Sequence, residues 1–309
     1  MFDCDNAGRQ NNLRDIGSKA MTTSQRIIKR AIIPIGGLGT RMGPIAKAVP
    51  KSMFPLVDCR GRLRPLLHHA CMEASAAGID SVAVVANPQQ IDPLHRYFTA
   101  AGKESAAELP VNIDFLSQPQ PRGLGDAVML AEYYAAGEPF MMLLGDHAWV
   151  SDDRSRPSAA QVVDAYAEHR GAAMVGMQVV PAEMLPSVGA ARGRLVKDRV
   201  YVCEDIIEKP PAAVAKQRLV CADLGPGKYL AHNGIYIFSP EIFDCLRELT
   251  RAYRQAGEEL QLTSAQQLLL RRHTQDYFLV NVAGRCMDCG SPAGYAEAFD
   301  AIRKAPCRT

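Results

Sequence analysis

An apolar run that ends in closely spaced glycines constrains this chain more than any other stretch. Residues 30–35 read Arg-Ala-Ile-Ile-Pro-Ile, a pattern typical of a buried strand, and Gly-Gly-Leu-Gly-Thr-Arg follows at residues 36–41. Glycines let backbone N–H groups crowd around an anion without a Cβ in the way, and Arg41 and Lys51 add positive charge. The stretch therefore predicts a strand that delivers a phosphate-binding loop, with a glycine turn that binds no ligand as the alternative.

The spacing of these glycines excludes two common phosphate-binding loops. A P-loop requires G-x-x-x-x-G-K-[ST], and no lysine followed by Ser or Thr lies at that distance. A dinucleotide-binding fingerprint requires G-x-G-x-x-G at the start of a helix, but Gly43 comes one residue late and Pro44 follows it directly. No acidic residue closes a strand about twenty residues further on, as ribose binding requires. The loop is therefore of another type.

The segments after the loop alternate between helix and strand patterns. A helix is predicted over residues 65–77, since Pro65 suits a first helical position and Gly78 a helix end. The β-branched run over residues 81–86 predicts a strand covered on both faces, which completes the βαβ unit of a parallel sheet. Further strands are predicted over residues 111–116, 139–144 and 173–180, with helices over 126–136 and, capped by Ser158, over 158–170.

The pattern changes at Pro181, where shorter and turn-rich segments begin. Glycine-containing turns are predicted at residues 188–193 and 225–227, and a strand is predicted to end near residues 206–210. The remaining predicted elements are strands over 232–238 and 277–282 and helices over 240–249, 264–272 and 292–304. The second half is therefore predicted to consist of shorter strands separated by turns.

An aspartate follows the most apolar of the predicted strands. Gly145-Asp146-His147 comes directly after residues 139–144. Open α/β sheets bind ligands and metals at the carboxyl ends of their strands, so Asp146 is a candidate metal ligand. The alternative is an aspartate that caps a helix or a turn. Gly125, before Asp126, similarly predicts a helix N-terminus with outward-pointing backbone donors.

Length and charge exclude several classes of protein. The 309 residues suit one large α/β domain or two smaller ones. A net charge of +2 gives no reason to expect nucleic acid or an anionic membrane as a partner. No apolar run approaches the roughly 18–20 residues that span a bilayer. Residues 1–26 are polar, lack the apolar core of a signal peptide and predict a disordered leader.

The cysteines point to a reducing compartment. There are nine, scattered and odd in number, which favours free thiols in the cytoplasm. Cys286 and Cys289 form a C-x-x-C pair, but a zinc site needs a second pair and none exists. Buried small hydrophobes are the favoured interpretation of these two, with a redox pair as the alternative.

The order of the motifs resembles one enzyme family. In sequence they are Gly36-Gly-Leu-Gly-Thr-Arg-Met42, Lys47-Ala-Val-Pro-Lys51, Gln118 with Gly123-Leu-Gly125, Gly145-Asp146, Glu208-Lys209-Pro210, Glu258-Glu-Leu-Gln-Leu-Thr263 and Asp288-Cys-Gly290. This set resembles the bacterial UTP–glucose-1-phosphate uridylyltransferases, a branch of the sugar nucleotidyltransferases, over roughly residues 28–304.

The resemblance implies a fold, a reaction and a cofactor. The fold is α/β, with a Rossmann-like mixed, mostly parallel sheet, flanking helices and a smaller sugar-side β subregion. A single domain over residues 27–304 is expected, with a nucleotide half over about 27–180, a sugar half over about 181–290 and a final helix over 292–304. The reaction is the Mg²⁺-dependent transfer of a uridylyl group from UTP to a sugar 1-phosphate, most simply glucose 1-phosphate. A cytoplasmic homo-oligomer, either a dimer or a tetramer, with neither nucleic acid nor membrane as partner, is expected.

The resemblance also assigns roles to residues. Arg41 and Lys51 would be catalytic, and Asp146 and Asp288 would bind the metal. The nucleotide would contact Gly36, Gly37, Leu38, Gly39, Thr40, Gln118 and Gly123, of which Gln118 would read the uracil. The sugar phosphate would contact Gly189, Glu208, Lys209 and Asn233.

The chain departs from the family pattern at several positions, half of them in the sugar half. The departures are Ala46, Gly145, His147, Val188, Asn233 and Glu258. Three alternatives therefore stay open: another hexose 1-phosphate as acceptor, dTTP as donor, and a non-catalytic sensor of nucleotide sugars. The sensor is the least favoured of these because Lys51, Asp146 and Asp288 are all present.

Overall fold

The computed structural model describes residues 28–37, 39–153 and 155–305. The strands in these ranges are β1 (Arg30–Pro34), β2 (Pro55–Val57), β3 (Leu63–Pro65), β4 (Ser81–Ala86), β5 (Asn112–Ser117), β6 (Phe140–Leu143), β7 (His147–Ser151), β8 (Ala173–Pro181), β9 (Ala190–Lys197), β10 (Val200–Ile207), β11 (Lys228–Phe238), β12 (Tyr277–Asn281) and β13 (Gly284–Asp288). The α-helices are α1 (Ile45–Ala48), α2 (Leu66–Ala76), α3 (Pro88–Ser105), α4 (Leu124–Leu130), α5 (Glu132–Ala135), α6 (Ser158–His169), α7 (Ala212–Arg218), α8 (Glu241–Ala256), α9 (Leu262–Arg272) and α10 (Pro292–Lys304).

Nine of the strands form one mixed sheet in the order β5-β4-β1-β6-β11-β8-β12-β10-β9. Strands β10 and β11 run against the others. The βαβ unit predicted at the start of the chain is present, because β1 pairs in parallel with β4 along its length. The sheet is therefore mixed with most strands in one direction, as expected from the sequence.

Helices cover both faces of this sheet because its strands are apolar on both. On β1, Ile33 enters a cluster with α2, α3 and α6, whereas its neighbour Ile32 enters a cluster with α4, α8 and α9. Successive side chains of a strand point to opposite faces, so each strand serves both clusters. Each fully buried aliphatic side chain stabilises the fold by roughly 1.5–3 kcal/mol. The result is three layers, which leave the strand ends free to carry loops.

Two smaller units extend the main sheet. Strands β7 and β13 pair antiparallel, with His147 opposite Asp288, and α10 packs against this pair. In the second half of the chain, α7 and the ends of β8, β9 and β11 enclose a separate apolar cluster around Leu185 and Leu219. These strands belong to the main sheet, and the cluster beside them corresponds to the smaller β subregion that the family resemblance implies.

Most predicted elements are confirmed, and the strand over 81–86 agrees residue for residue. The helix predicted over 126–136 is instead two helices, because Ala131 leaves the helical conformation between α4 and α5. The predicted cap Ser158 is the first residue of α6 and makes no capping hydrogen bond, since Pro157 holds the cap position. These differences concern where helices start, end or break, and not the type of element.

Two further differences concern the type of element. The turn predicted at 188–193 becomes strand β9 from Ala190, because these residues pair with both β10 and β11. The sequence pattern predicts no element over 88–105, yet these residues form α3, which starts with a capping box between Asn87 and Gln90. The predicted leader, residues 1–26, lies outside the described residues.

The cysteines mostly behave as expected. Six of those within the described ranges are free thiols, five of them buried, but Cys59 is disulfide-bonded and corrects the expectation of free thiols throughout. Burial raises the pKa of Cys286 and of Cys289, which favours their interpretation as small hydrophobes over a redox pair. Within the described ranges, no helix is both long enough and apolar enough to span a bilayer.

Candidate functional site

A cavity of about 550 Å³ opens at the carboxyl ends of β1, β5 and β6. The carboxyl ends of parallel strands meet at one edge of a sheet, so the loops that follow these strands share a single cavity. The predicted site residues that line it are Gly36, Gly37, Gly39, Thr40, Arg41, Lys51, Gln118, Gly123, Asp146, Gly189, Glu208 and Asp288. Segments far apart in the sequence therefore come together as the motifs suggested.

The glycine loop wraps around the side chain of Lys51. A Cβ on Gly37 would lie 3.7 Å from Lys51 Nζ, and a Cβ on Gly39 would lie 3.2 Å from the Cβ of Ala46. Gly39 also has φ of 63°, a left-handed conformation that glycine adopts without strain. The loop can approach the lysine this closely because its glycines carry no side chains.

Lys51 and Asp146 form an ion pair within the cavity, with side chains 13% and 19% exposed. The second carboxylate oxygen of Asp146 lies 3.0 Å from His147 Nδ1. Burial by itself raises the pKa of the Asp146 carboxyl, but hydrogen bonds and charges from His147 and Lys51 outweigh it and hold the pKa well below its ordinary value. Asp146 is therefore a fixed negative charge at neutral pH.

The pairing of β7 with β13 brings Asp288 to Asp146. His147 lies opposite Asp288 in this pair, and the backbone N–H of Cys289 donates to Asp146 O at 2.9 Å. Single ligand atoms from Asp146, His147 and Asp288 lie within 4.8 Å of one another, close enough to hold one metal ion. Arg41 donates to Asp288 at 3.0 Å and adds a positive charge beside the cluster.

The opposite part of the cavity contains Gln118, which is 4% exposed. Its Nε2 donates to Asp126 Oδ2 at 2.9 Å and to the carbonyl of Gly123 at 3.3 Å. Because a carboxylate and a carbonyl only accept hydrogen bonds, both partners fix the same orientation of the amide. The Gln118 Oε1 then faces Gly36, where a Cβ would come within 2.5 Å of it.

Gly123 holds this end of the cavity closed against the start of α9. It has φ of 103°, and a Cβ there would lie 2.6 Å from the carbonyl oxygen of Leu260. The same carbonyl accepts a hydrogen bond from the backbone N–H of Gly125 at 2.8 Å. The helix therefore begins two residues earlier than predicted, at Leu124, and Gly125 lies inside α4.

Two of the residues predicted to bind the sugar phosphate, Gly189 and Glu208, lie close together in the cavity. A Cβ on Gly189 would lie 2.9 Å from His232 Nδ1 and 3.0 Å from Glu208 Oε2. Thr263 donates to the same oxygen of Glu208 at 2.7 Å and orients the carboxylate. Burial lowers the pKa of His232 to about 4, so this imidazole is neutral at pH 7.

Two of the predicted residues that the structure describes, Asn233 and Lys209, do not line the cavity. Asn233 is 2% exposed, and its side chain packs against Gly176 and accepts from the backbone N–H of Ile235. It follows His232 on β11, and since neighbours on a strand point to opposite faces, His232 lines the cavity instead. Lys209 lies beside the cavity, with Nζ 3.8 Å from Glu208 Oε1. Leu38 lies outside the described residues.

Four functional candidates were not assigned roles from the sequence. Asp126 orients Gln118, and Thr263 orients Glu208. His232 lines the part of the cavity predicted to bind the sugar, and His147 lies in the cluster with Asp146 and Asp288. Thr263 was within reach of prediction, because it ends the Gln-Leu-Thr motif. No short sequence pattern pointed to Asp126 or His232. Each is a candidate because of a residue that it contacts only in the folded protein: Gln118 for Asp126 and Gly189 for His232.

The sheet and the cavity define a Rossmann-like α/β protein that gathers a glycine loop, a buried lysine and an Asp-His-Asp cluster. The chain belongs to the nucleotidyl transferase family, whose model matches residues 30–305. This bears out the family that the order of the motifs indicated.

Known proteins of this family resemble the chain over most of its length. A UTP–glucose-1-phosphate uridylyltransferase of Bacillus subtilis (strain 168) is 32% identical over 283 residues, which are 87% of this chain and 88% of that protein. The structure of a UDP-glucose pyrophosphorylase complexed with UDP-glucose has a TM-score of 0.71 at 28% identity, covering 90% of this chain and 100% of the other. A UTP-bound UGPase from Acinetobacter baumannii has a TM-score of 0.68 at 26% identity, covering 88% of this chain and 92% of the other.

Proposed function

We propose that this protein transfers a uridylyl group from UTP to glucose 1-phosphate and releases pyrophosphate. The observation that carries the proposal is the Lys51–Asp146 pair, which lies in one cavity with the glycine loop, Gln118 and Glu208. The Bacillus subtilis relative and the complex with UDP-glucose support UTP and glucose 1-phosphate as the substrates.

The chemistry needs positioning and positive charge rather than a protein nucleophile. A phosphate oxygen of the sugar phosphate attacks the α-phosphorus of UTP, and the bond to the pyrophosphate oxygen breaks as the new P–O bond forms. The attacking phosphate is already ionised at pH 7, so no general base is required. The obstacle is electrostatic, because an anion approaches a polyanion and charge then builds on the leaving group.

The glycine loop and Lys51 would offset this electrostatic repulsion. Backbone N–H groups of the loop would hold the triphosphate, and Arg41 would add charge at its outer side. In the described structure Lys51 is paired with Asp146. We propose that substrate phosphates take up the ammonium group, which then stabilises the charge that develops in the transition state.

Gln118 would select the base through the oxygen of its amide. Since its N–H groups are committed to Asp126 and Gly123, Oε1 is the group left to face a ligand. That oxygen can accept from the N3–H of uracil, whereas N3 of cytosine carries no hydrogen to donate. An amide pairs equally well with thymine, so rejection of dTTP would have to be steric.

Asp146 and Asp288 would hold the cofactor, which we propose to be Mg²⁺. The donor set fits, because Mg²⁺ binds through one or two carboxylates and substrate phosphates and keeps several waters. When bound, the ion supplies positive charge at the phosphates undergoing transfer. Asp146 and Asp288 contribute the carboxylates, and the pairing of β7 with β13 keeps them adjacent.

Gly189, Glu208 and Lys209 would form the sugar-phosphate end, with His232 in the place expected of Asn233. Glu208 would accept hydrogen bonds from sugar hydroxyls, and Lys209 would bind the phosphate. Lys209 has φ of 45°, a conformation that non-glycine residues seldom adopt and that is enriched at functional sites.

A pyrophosphate-release assay over a grid of nucleoside triphosphates and sugar 1-phosphates tests the proposal. The highest kcat/KM is expected for UTP with glucose 1-phosphate, and Lys51→Ala serves as a control for contaminating activity. Higher efficiency with dTTP or with another hexose 1-phosphate would replace the substrate assignment, and no release with any pair would favour the sensor.

Three broader expectations accompany the proposal. They are a cytoplasmic location, a homo-oligomeric state and a division into a nucleotide half over about 27–180 and a sugar half over about 181–290. The cavity draws its lining from both halves, which is what a single domain with two substrates requires.

A further inference from the structure

His147 lies in the same cluster as the two proposed metal ligands. Its Nδ1 is 3.0 Å from Asp146 Oδ1. One ligand atom from each of Asp146, His147 and Asp288 lies within 4.8 Å of the other two. Two atoms that bind one ion at about 2.1 Å and at right angles are themselves about 3 Å apart. The spacing therefore suits two ligands of one ion.

Packing, and not only the contact with Asp146, holds the imidazole at this position. The ring lies against Trp149, with centroids 6.2 Å apart and planes at 27°. The indole N–H of Trp149 donates to Asn233 O, which ties β7 to β11. Gly234, with φ of 82°, approaches the ring so closely that a Cβ there would lie 3.1 Å from His147 Cδ2. The side chain is 14% exposed and lines the cavity.

We propose that His147 is a third protein ligand of the metal ion and that it shifts the preference of the site from Mg²⁺ toward Co²⁺ and similar ions. The inference rests on the proposed function for the existence of the metal site. Mg²⁺ prefers oxygen ligands, whereas an imidazole nitrogen suits later divalent ions, whose affinity for nitrogen rises along the first transition row. The ratio of Co²⁺ affinity to Mg²⁺ affinity is therefore higher for a site of two carboxylates and one imidazole than for a site of two carboxylates alone.

The test is metal binding to the full chain without nucleotide. Co²⁺ is titrated while its visible absorption is followed, and Mg²⁺ affinity is obtained by competition against that signal. The variant is His147→Asn, because its amide N–H can keep the hydrogen bond to Asp146 while offering an ion only oxygen. Loss of a nitrogen ligand is expected to weaken Co²⁺ binding about tenfold or more and Mg²⁺ binding by less than about threefold.

Two further variants separate this inference from the metal site itself. Asp288→Ala should abolish binding of both ions, and unchanged binding there would remove the metal site and the inference with it. His273→Ala is the matched control, because His273 lies 2.6 Å from Glu241 on the surface, away from the cluster. The inference is wrong if Asp288→Ala abolishes metal binding but His147→Asn weakens the binding of Co²⁺ and Mg²⁺ equally, or weakens neither. His147 would then only position Asp146.

Discussion

The amide of Gln118 donates to the carboxylate of Asp126 at 2.9 Å, with both side chains at most 8% exposed. This contact decides which end of the amide faces the cavity, because Asp126 can only accept. A residue that touches no nucleotide in our proposal would thereby control the choice of base. The orientation of Gln118 is a property of the pair rather than of the residue alone.

Replacing Asp126 with Asn should relax the choice of base. An Asn side chain can donate as well as accept, so the Gln118 amide becomes free to turn its N–H groups toward the base. The preference for UTP over CTP in kcat/KM is expected to fall about tenfold or more, which matches the loss of one buried hydrogen-bond arrangement. Asp92→Asn, at an exposed position on α3, is the control and should leave the preference for UTP over CTP unchanged. If Gln118→Ala also preserves the preference, the base is read elsewhere.

Asp146→Asn should reduce turnover by about 10²-fold or more, because a preorganised charge at the reacting phosphates is removed. The measurement is kcat at saturating UTP and glucose 1-phosphate, with circular dichroism to show that the fold persists. Asp164→Asn provides the control, since Asp164 pairs with Arg156 on the surface with its side chain 53% exposed. Activity near that of the wild type would remove Asp146 from the metal site.

Lys51→Ala should lower kcat much more than it raises KM for UTP. The ammonium group is proposed to act on charge that develops in the transition state, and such a contact affects kcat rather than ground-state binding. Lys47→Ala, an exposed lysine on the preceding helix α1, is the matched control. A change confined to KM would show that Lys51 serves only to bind nucleotide.

Gly189→Ala should raise KM for the sugar phosphate by about tenfold or more and leave KM for UTP within about twofold. The added methyl would lie 2.9 Å from His232 Nδ1 and 3.0 Å from Glu208 Oε2, so both side chains must move. Gly225→Ala is the control, because a Cβ there meets nothing closer than 3.9 Å. Equal effects on the two substrates would argue against Gly189 as part of the sugar end.

The stability of the fold should fall as the pH drops below about 6.5, in part because of His68. This residue is 0% exposed, and burial together with the charge of Arg64 lowers its pKa to about 3. The unfolded chain binds a proton at His68 near pH 6.5 whereas the folded chain does not, so stability rises with pH between these values. Between pH 7 and pH 5 the expected loss from His68 is about 2 kcal/mol.

Urea unfolding of wild type and His68→Phe at both pH values measures this contribution. The variant should lose about 2 kcal/mol less than the wild type over the same interval. His95→Phe, at an exposed position, should keep the pH dependence of the wild type. If the free energy of unfolding of His68→Phe depends on pH as steeply as that of the wild type, His68 has the same pKa in the folded and unfolded chains.

Local sequence was sufficient where a function depends on a short stretch. The apolar run before Gly36 predicted β1, and the glycines with Lys51 predicted an anion-binding loop, because both signals lie within about twenty residues. Asp146 was predicted as a metal ligand for the same reason, as the residue that follows a buried strand, and it lines the cavity. These predictions needed only the rule that loops at the carboxyl ends of strands form sites.

Predictions were less accurate where a partner lies far away in the chain. The strand that contains His232 and Asn233 was predicted, but not which of the two faces the cavity. That choice is set by the pairing of β11 with β6 and β8 and by the close packing of Asn233 on Gly176. Neighbouring side chains on a strand point to opposite faces of the sheet. A prediction that is one residue off therefore selects a buried side chain instead of one that lines the cavity.

The sequence by itself determined the chemistry available to this protein: a glycine loop, two cations, two carboxylates and a glutamine in an order that identifies the family. Only the tertiary structure decided how these groups face one another. It aims the amide of Gln118 through Asp126 and places His147 opposite Asp288. The physical reason is that the type of a side chain is a local property, whereas its orientation and protonation depend on neighbours that folding brings from distant parts of the chain.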